Sequence, residues 1–258
     1  MGVADCLLCL SSVPMLVFLE RDVVLPCSLC LAFTCGTLGW AIISSFHHVL
    51  IAMHRWLSVT FPTRDPFSPS CVILQIAVCW GAGGLVSWIP AMGWGSVTPW
   101  DPLGAPGCSV PCAYQNVLSM QYLVYVIFDG CVLAPFLTIS VLYALVFRAL
   151  REQCRRCQCQ APRLHQRQCR ITRSLVTVVA IYGLSRMPFN VVAMVQLYCS
   201  SCWLPPWLVP SSLMLATFSA ASNPFMYLLC SAEICGRLRG SLRPRRVAVL
   251  RTVDKPRV

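Results

Sequence analysis

The chain has 258 residues, of which 57% are hydrophobic and only 11% are charged, and its formal net charge is +11. A soluble domain of this length would carry many more charged side chains on its surface, so the composition predicts a protein that crosses a membrane several times. The net charge would also suit a nucleic-acid-binding protein, but the placement of the basic residues argues against nucleic acid as a partner.

Six apolar stretches are long enough to cross a hydrocarbon core of about 30 Å as helices. They lie near residues 3–19, 26–53, 72–92, 120–147, 174–197 and 206–230. Each is too long for a membrane β-strand, and the alternation of apolar and polar residues that a barrel needs is absent. The predicted fold class is therefore an all-α membrane protein with six transmembrane helices.

The basic residues indicate which side of the membrane each loop faces. Of the 20 Lys and Arg residues, 18 lie in three regions, which are residues 55–64, residues 148–173 and the tail from Arg237 onward. The segments 93–120 and 198–206 contain none. Cytosolic loops carry an excess of Lys and Arg, so the three basic regions and the C-terminus are expected to be cytosolic.

Charged residues inside the spans need a compensating partner. The first span carries Asp5, the fourth carries Asp129, and the fifth carries Arg186 with Pro188 two residues later. Arg186 follows the cytosolic Arg173 by 13 residues, which places it roughly 20 Å along a helix. An arginine at the centre of a membrane helix costs at least about 2.5–3.5 kcal/mol, so Arg186 is expected to have a partner.

No pattern in the chain points to catalysis or to a metal site. It contains no HExxH or GxSxG motif and no glycine-rich phosphate loop after a strand, so we expect neither an enzyme nor a cofactor. The cytosolic residues that come closest to a zinc site are Cys154, Cys157, Cys159, His165 and Cys169. Their spacing matches no zinc signature well, and no metal is expected.

Several features in order along the chain resemble the rhodopsin-like (class A) G-protein-coupled receptors. Arg55 lies at the cytosolic end of a long helix predicted over 25–61, and Tyr143 follows Pro135 by eight residues. SNPFMYLL near the end of the chain matches the Asn-Pro-x-x-Tyr motif of that family at Asn223, Pro224 and Tyr227. Three longer stretches resemble the adenosine receptors in particular: CWGAGGLVSWIPAMGW, MQYLVYVIFDGCVLAPF and YCSSCWLPPWL.

The resemblance implies an arrangement for nearly the whole chain. The six spans would correspond to helices 2–7 of a seven-helix receptor bundle, with the first transmembrane helix missing and a short amphipathic helix after the last span. Residues 1–240 would form the receptor domain, and residues 241–258 a basic cytosolic tail. The protein would lie in the plasma membrane as a multi-pass receptor.

The resemblance also implies positions for a small-molecule agonist similar to adenosine. These positions are Tyr114, Gln115, Leu123, Leu38, Asn190, Leu213 and Thr217. Several positions at which the family binds adenosine through polar side chains are alanines here, namely Ala41, Ala193 and Ala216. A site that has lost its hydrogen-bonding side chains discriminates less well, so adenosine itself is an uncertain ligand.

Signalling and ion-binding positions follow from the same resemblance. Arg55, Tyr143, Tyr227 and Pro188 correspond to residues that couple the family's helix motion to a heterotrimeric G protein. Asp5, Ser44 and Asn223 match part of the family's sodium site. Arg186 stands where the family has a tryptophan, and we expect it to form a buried ion pair with Asp5, with Asp129 as the rival partner.

Three cysteine pairs are candidates for disulfide bonds on the outer side. The resemblance implies a bond between Cys30 and Cys112, which would tether an outer loop, and a bond between Cys199 and Cys202. A bond between Cys27 and Cys108 stays open, since connectivity cannot be read from sequence alone.

Two functions remain in view. The first is a G-protein-coupled receptor, similar to adenosine receptors, that transmits an extracellular small-molecule signal to a heterotrimeric G protein. The second is a truncated or decayed receptor that does not signal by itself and acts as an orphan or as the partner in a receptor dimer. A transporter or channel would need inverted repeats with paired broken helices, and the sequence shows neither.

Overall fold

The computed structural model describes residues 2–61, 68–96, 108–156, 162–199 and 201–230. Within these ranges the side chains at 154, 156, 162–171, 173–175, 178, 219 and 221–230 are outside the description. The amphipathic helix predicted after the last span, the tail at 241–258 and most of the rejected zinc residues therefore lie outside the described residues.

The described chain is built almost entirely from helices. The helices are α1 (Gly2–Glu20), α2 (Cys27–Thr60), α3 (Pro69–Trp88), α4 (Tyr114–Val117), α5 (Ala134–Arg156), α6 (Pro162–Tyr198) and α7 (Leu208–Cys230). A 3-10 turn over Ile89–Met92 follows α3, and a π-helical segment over Tyr122–Leu133 leads directly into α5. Two short strands, β1 (Val24–Pro26) and β2 (Ser109–Pro111), form the one antiparallel pair among the described residues.

The long helices coincide with the predicted spans, although not all of them qualify as spans by length and hydropathy. Within the described residues, four helices are long and apolar enough to cross a membrane: Gly2–Glu20, Cys27–Thr60, Pro69–Met92 and Tyr122–Gln153. The described part of α7 contributes a shorter apolar helix, Leu208–Phe218. The structure thus supports an all-helical membrane protein, while six spans and their match to helices 2–7 remain predictions.

The fourth span begins with a π-helix where an ordinary α-helix was expected. The N–H of Ala134 bonds to the carbonyl of Asp129, five residues earlier. Pro135 follows at once and has no N–H to donate, so the regular hydrogen-bond ladder cannot continue unchanged through this point. Runs of π-helix are rare and occur mostly as single turns, which is why the apolar pattern did not predict one.

Helix α2 is the centre of the bundle. It packs against α1, α3 and α5, while α6 packs against α5 and α7, and α7 returns to α1. Helix α3 is peripheral, and only Gly83 and Ser87 are buried along it. Several of its large apolar side chains are exposed, and Ile73 and Leu74 are about two thirds exposed. Such an apolar outer surface suits contact with lipid.

Helices α2 and α3 approach closely where one of them carries glycine. A Cβ atom at Gly83 would lie 2.6 Å from Cγ1 and 3.2 Å from the backbone nitrogen of Ile43. In the other direction, a Cβ at Gly39 would lie 2.7 Å from Oγ of Ser87. Small residues of this kind let the backbones of membrane helices pack tightly.

We expect Gly83→Ala to destabilise the bundle by roughly 1–3 kcal/mol, because the added methyl forces α2 and α3 apart. Gly84→Ala is the matched control, since a Cβ there meets nothing within 4 Å. Both substitutions raise helix propensity equally, so the difference between them isolates the packing cost. Chemical unfolding of the purified variants measures it, and equal midpoints would contradict the close packing.

Candidate functional site

The outer loop before the fourth span is pinned against the top of α2. Strand β1 pairs with β2 in the register Val24 to Pro111 and Leu25 to Val110. The described residues contain three disulfides, which are Cys27–Cys108, Cys30–Cys112 and Cys199–Cys202. They include both pairs implied by the family resemblance and the pair that the sequence left open. The first two hold the loop across the mouth of the bundle, and the third closes the turn between α6 and α7.

This tether positions Tyr114 over the interior. The residue opens α4, two residues after Cys112, and its side chain is buried. Its hydroxyl donates to Oε1 of Gln196 on α6 at 3.0 Å, and its ring meets that of Phe189 edge to face at 5.2 Å. Burial raises the pKa of the Tyr114 hydroxyl well above its usual value. The hydroxyl therefore stays neutral and continues to act as a donor that links the loop to α6.

A cavity of about 70 Å³ lies beneath Tyr114, between α1, α2, α6 and α7. Five of the seven predicted ligand positions line it, namely Tyr114, Leu123, Leu38, Leu213 and Thr217. Gln115 instead lines a wider outer cavity of about 860 Å³, together with Gln196. Asn190 is buried, and its Nδ2 donates to the carbonyl of Arg186 at 2.9 Å within its own helix. The structure thus gathers most, but not all, of the predicted positions into one cavity.

Arg186 also lines this cavity. Its side chain is 9% exposed, and its guanidinium carbon lies 5.0 Å from the centre of the Tyr182 ring. A cation over an aromatic face is stabilised by about 2 kcal/mol when the pair is desolvated. Nε of Arg186 is buried and makes no hydrogen bond to any residue that the structure describes.

Tyr182 in turn connects α6 to the centre of α2. Its hydroxyl shares a hydrogen bond with Oγ of Ser45, and its ring lies 4.9 Å from that of His48. These two α2 residues belong to a buried polar stripe with Ser44 and His47. The stripe was visible in the sequence as four polar residues inside an apolar span. Sequence reasoning nevertheless missed His48, because its aromatic partner lies 134 residues further along the chain.

Asp5 lies in the same interior region and contacts Ser44, its predicted neighbour in the sodium site. It is 1% exposed, and its Oδ1 accepts a hydrogen bond from Oγ of Ser44 at 2.6 Å. His48 is within electrostatic reach of both Asp5 and Arg186. The guanidinium of Arg186 lies over the Tyr182 ring, and the ion pair between Asp5 and Arg186 stays a prediction.

Two further residues were predicted to lie near Arg186 or Asp5. Asp129, the rival partner of Arg186, lies on an exposed face of the π-helical segment. The side chain of Asn223, the third predicted sodium ligand, lies outside the described residues.

At the inner end of the bundle, the predicted signalling residues lie around α2 and α5. Tyr143 is buried with Ala52, Ile139 and Val179, and it is within electrostatic reach of the half-buried Arg55. Nε2 of Gln153 donates to the carbonyl of Val59 at 2.7 Å, which joins the same two helices.

The remaining signalling positions lie on α6 and α7. Pro188 lies within α6. The side chain of Tyr227, on α7, is outside the described residues.

Comparison with known proteins identifies the family. The family described as 7 transmembrane receptor (rhodopsin family) matches residues 1–227. Adenosine receptor A2a from Equus caballus is 26% identical over 88% of this chain, and the human protein is 25% identical over the same share. Adenosine receptor A2b from Canis lupus familiaris is 27% identical, again over 88%.

These matches cover most of this chain but a smaller share of each relative. The chain spans 58% of the length of those two A2a relatives and 73% of the A2b relative. The family match covers most of the chain, and the helical bundle with its tethered outer loop agrees with it. The chain therefore belongs to the rhodopsin family of seven-transmembrane receptors, and it is related to the adenosine receptors.

Proposed function

We propose that the protein is a receptor that binds an extracellular small molecule between the outer ends of its helices and passes the signal to a heterotrimeric G protein. The observation that carries the proposal is the cavity under Tyr114, which brings together five positions far apart in the chain. The Cys30–Cys112 bond, which ties the loop that carries Tyr114 to α2, supports a ligand site at the outer end of the bundle.

Helix α6 is the element suited to carry the signal. It contributes Arg186 and Phe189 to the cavity, and it contains Pro188, at which a helix bends most readily. A ligand that contacts one packing of α6 better than another shifts the bundle toward that packing. In this proposal the inner end of α6 moves relative to Arg55 and Tyr143, and the G protein binds at the cytosolic side of the plasma membrane.

The side chains around the cavity indicate that this protein does not recognise its ligand through the same contacts as its relatives. Ala41 and Ala216 line the cavity, and Ala193 is buried in the adjoining core. Methyl groups at these positions cannot hydrogen-bond an adenine or a ribose, and a polar ligand loses affinity when its partners are absent. The relatives suggest an adenosine-like agonist as the ligand class, whereas these alanines favour a ligand that is recognised through other contacts.

A second candidate is a receptor that does not signal alone and acts within a dimer with another receptor. One observation favours it. The contacts of Tyr182 with Ser45 and His48 join α6 to α2 deep in the bundle, and such a connection holds α6 in one packing.

Basal signalling separates the two candidates without any knowledge of the ligand. The chain neighbours of Arg55 are His54 and Trp56, neither of which is acidic. The full chain in cells is therefore expected to give G-protein activation above the empty-vector level in a cyclic-nucleotide assay. Arg55→Gln is expected to return the output to that level at equal surface labelling. Wild-type protein that reaches the surface and gives no output would favour the dimer partner.

A further inference from the structure

The cavity contains a positive charge that meets no acidic side chain among the described residues of the cavity wall. Arg186 lines the cavity, is nine-tenths buried, and has a buried Nε with no hydrogen bond to any described residue. Its contact with the Tyr182 ring covers one face of the guanidinium. A contact with a ring face leaves the N–H groups at the edge of the guanidinium in need of acceptors.

The described residues in the rest of the cavity wall supply no anion. Apolar side chains predominate in it, among them Leu8, Leu38 and Phe189. The hydroxyls of Thr34, Thr37 and Thr217 donate to carbonyls of their own helices at 2.9 Å. Asp5 is absent from the wall, because its carboxylate faces Ser44 on α2.

We propose that this cavity binds a small aliphatic carboxylate, with its oxygens on the guanidinium of Arg186 and its alkyl group against the apolar wall. The inference rests on the proposed ligand cavity and names the chemical class of its ligand. Arginine and carboxylate form paired, charge-assisted hydrogen bonds that are stronger than those between neutral groups. Burial away from water strengthens this attraction and at the same time disfavours a neutral or cationic ligand.

The size of the cavity limits the ligand to a short one. A volume of about 70 Å³ has room for a handful of non-hydrogen atoms, since a single water already needs about 10–15 Å³ in this measure. A carboxylate with one or two further carbons matches that space, whereas a nucleoside does not. Tyr114 lines the cavity on the side of the outer loop, and its hydroxyl bonds to Gln196 at 3.0 Å.

Direct binding to the purified full chain tests the proposal. The protein is placed in nanodiscs of phosphatidylcholine, which has no net charge, and its thermal unfolding is followed by tryptophan fluorescence. Sodium propionate is compared with its neutral isostere propionamide at concentrations up to 50 mM. Sodium gluconate keeps the ionic strength constant, because gluconate is too large for the cavity. We expect propionate to raise the melting temperature by roughly 3–5 °C and propionamide to leave it unchanged.

Variants assign the response to Arg186. Arg186→Gln is expected to abolish the shift, whereas Arg21→Gln, at an exposed arginine beyond the outer end of α1, keeps it. Arg186→Lys retains the charge and is expected to keep part of the shift if Arg186→Gln does not fold. Equal responses of the wild-type protein to propionate and propionamide would overturn the proposal, as would an undiminished response in folded Arg186→Gln.

The binding assay contains no G protein, so it fails or succeeds independently of the signalling measurement. Basal signalling without a propionate response removes the carboxylate site alone. A propionate response without any signalling retains the site and counts against the proposed receptor activity.

Discussion

Removing both outer-loop disulfides that end on α2 is expected to cost more than the two separate removals added together. Cys27–Cys108 and Cys30–Cys112 close loops of nearly equal length, with separations of 81 and 82 residues. Either bond alone constrains the unfolded chain over that whole length. By the chain-entropy model, a loop of this length corresponds to roughly 4–5 kcal/mol.

Once one of these bonds is formed, the second closes only a small additional ring. The ring contains the short segments between Cys27 and Cys30 and between Cys108 and Cys112, about nine residues in all. Such a ring contributes roughly 2–3 kcal/mol in the same model. Each double serine variant that removes one bond should therefore lose roughly 2–3 kcal/mol, and the fourfold variant roughly 7 kcal/mol.

Chemical unfolding of the purified variants, followed by tryptophan fluorescence, measures these differences. Both cysteines of a bond are replaced together, so that no new free thiol is left. The Cys199–Cys202 bond is the control because its ends are only 3 residues apart, and its loss is expected to cost roughly 1–2 kcal/mol. Strictly additive losses for the two outer-loop bonds would show that they do not share one loop in the unfolded chain.

Asp5→Asn is expected to destabilise the bundle by roughly 2–4 kcal/mol, whereas Asp129→Asn should change stability by no more than about 0.5 kcal/mol. The chemical change is identical in the two variants, and only the surroundings differ. Asp5 is 1% exposed and accepts a hydrogen bond from Ser44 at 2.6 Å, whereas Asp129 lies on an exposed face. Asp5 is also the carboxylate that shares the interior region of Arg186 and His48.

Loss of the Asp5 charge acts through two physical effects. It weakens a charge-assisted hydrogen bond inside the protein, and it leaves the positive charge of Arg186 less well compensated. The amount of folded protein in the membrane, measured by fluorescence-detected gel filtration at equal expression, reports the effect. If Asp129→Asn lowered it more than Asp5→Asn, the interior role of Asp5 would be refuted.

Much of the architecture could be predicted because it depends on local composition. Stretches of about 20 apolar residues have few ways to satisfy their backbone polar groups in lipid other than as helices. Each long helix accordingly overlaps a predicted span, although α2, α5 and α6 each extend 7 to 12 residues beyond one end of it. The π-helical start of the fourth span was missed, because it depends on how Pro135 and its neighbours share hydrogen bonds rather than on apolar content.

The candidate site could be predicted only in outline. The positions of Tyr114, Leu123 and Leu213 around one cavity follow from the family resemblance, because related sequences place equivalent residues together. The side-chain contacts do not follow from it. Asn190 bonds to its own helix, and Gln115 lies in the outer cavity, because small rotations of a side chain decide which group it meets.

The sequence by itself determined the class of this protein, because the hydrophobic pattern and the spacing of the motifs do not depend on individual side-chain contacts. It also identified Arg186 as a charge in an apolar helix that needs compensation. Only the tertiary structure decided how that charge is placed. The side chain lies over Tyr182 and lines a cavity, while the nearest predicted acid is engaged with Ser44. The physical reason is that electrostatic compensation acts over a few ångströms, and distances on that scale are set by how helices far apart in the chain pack together.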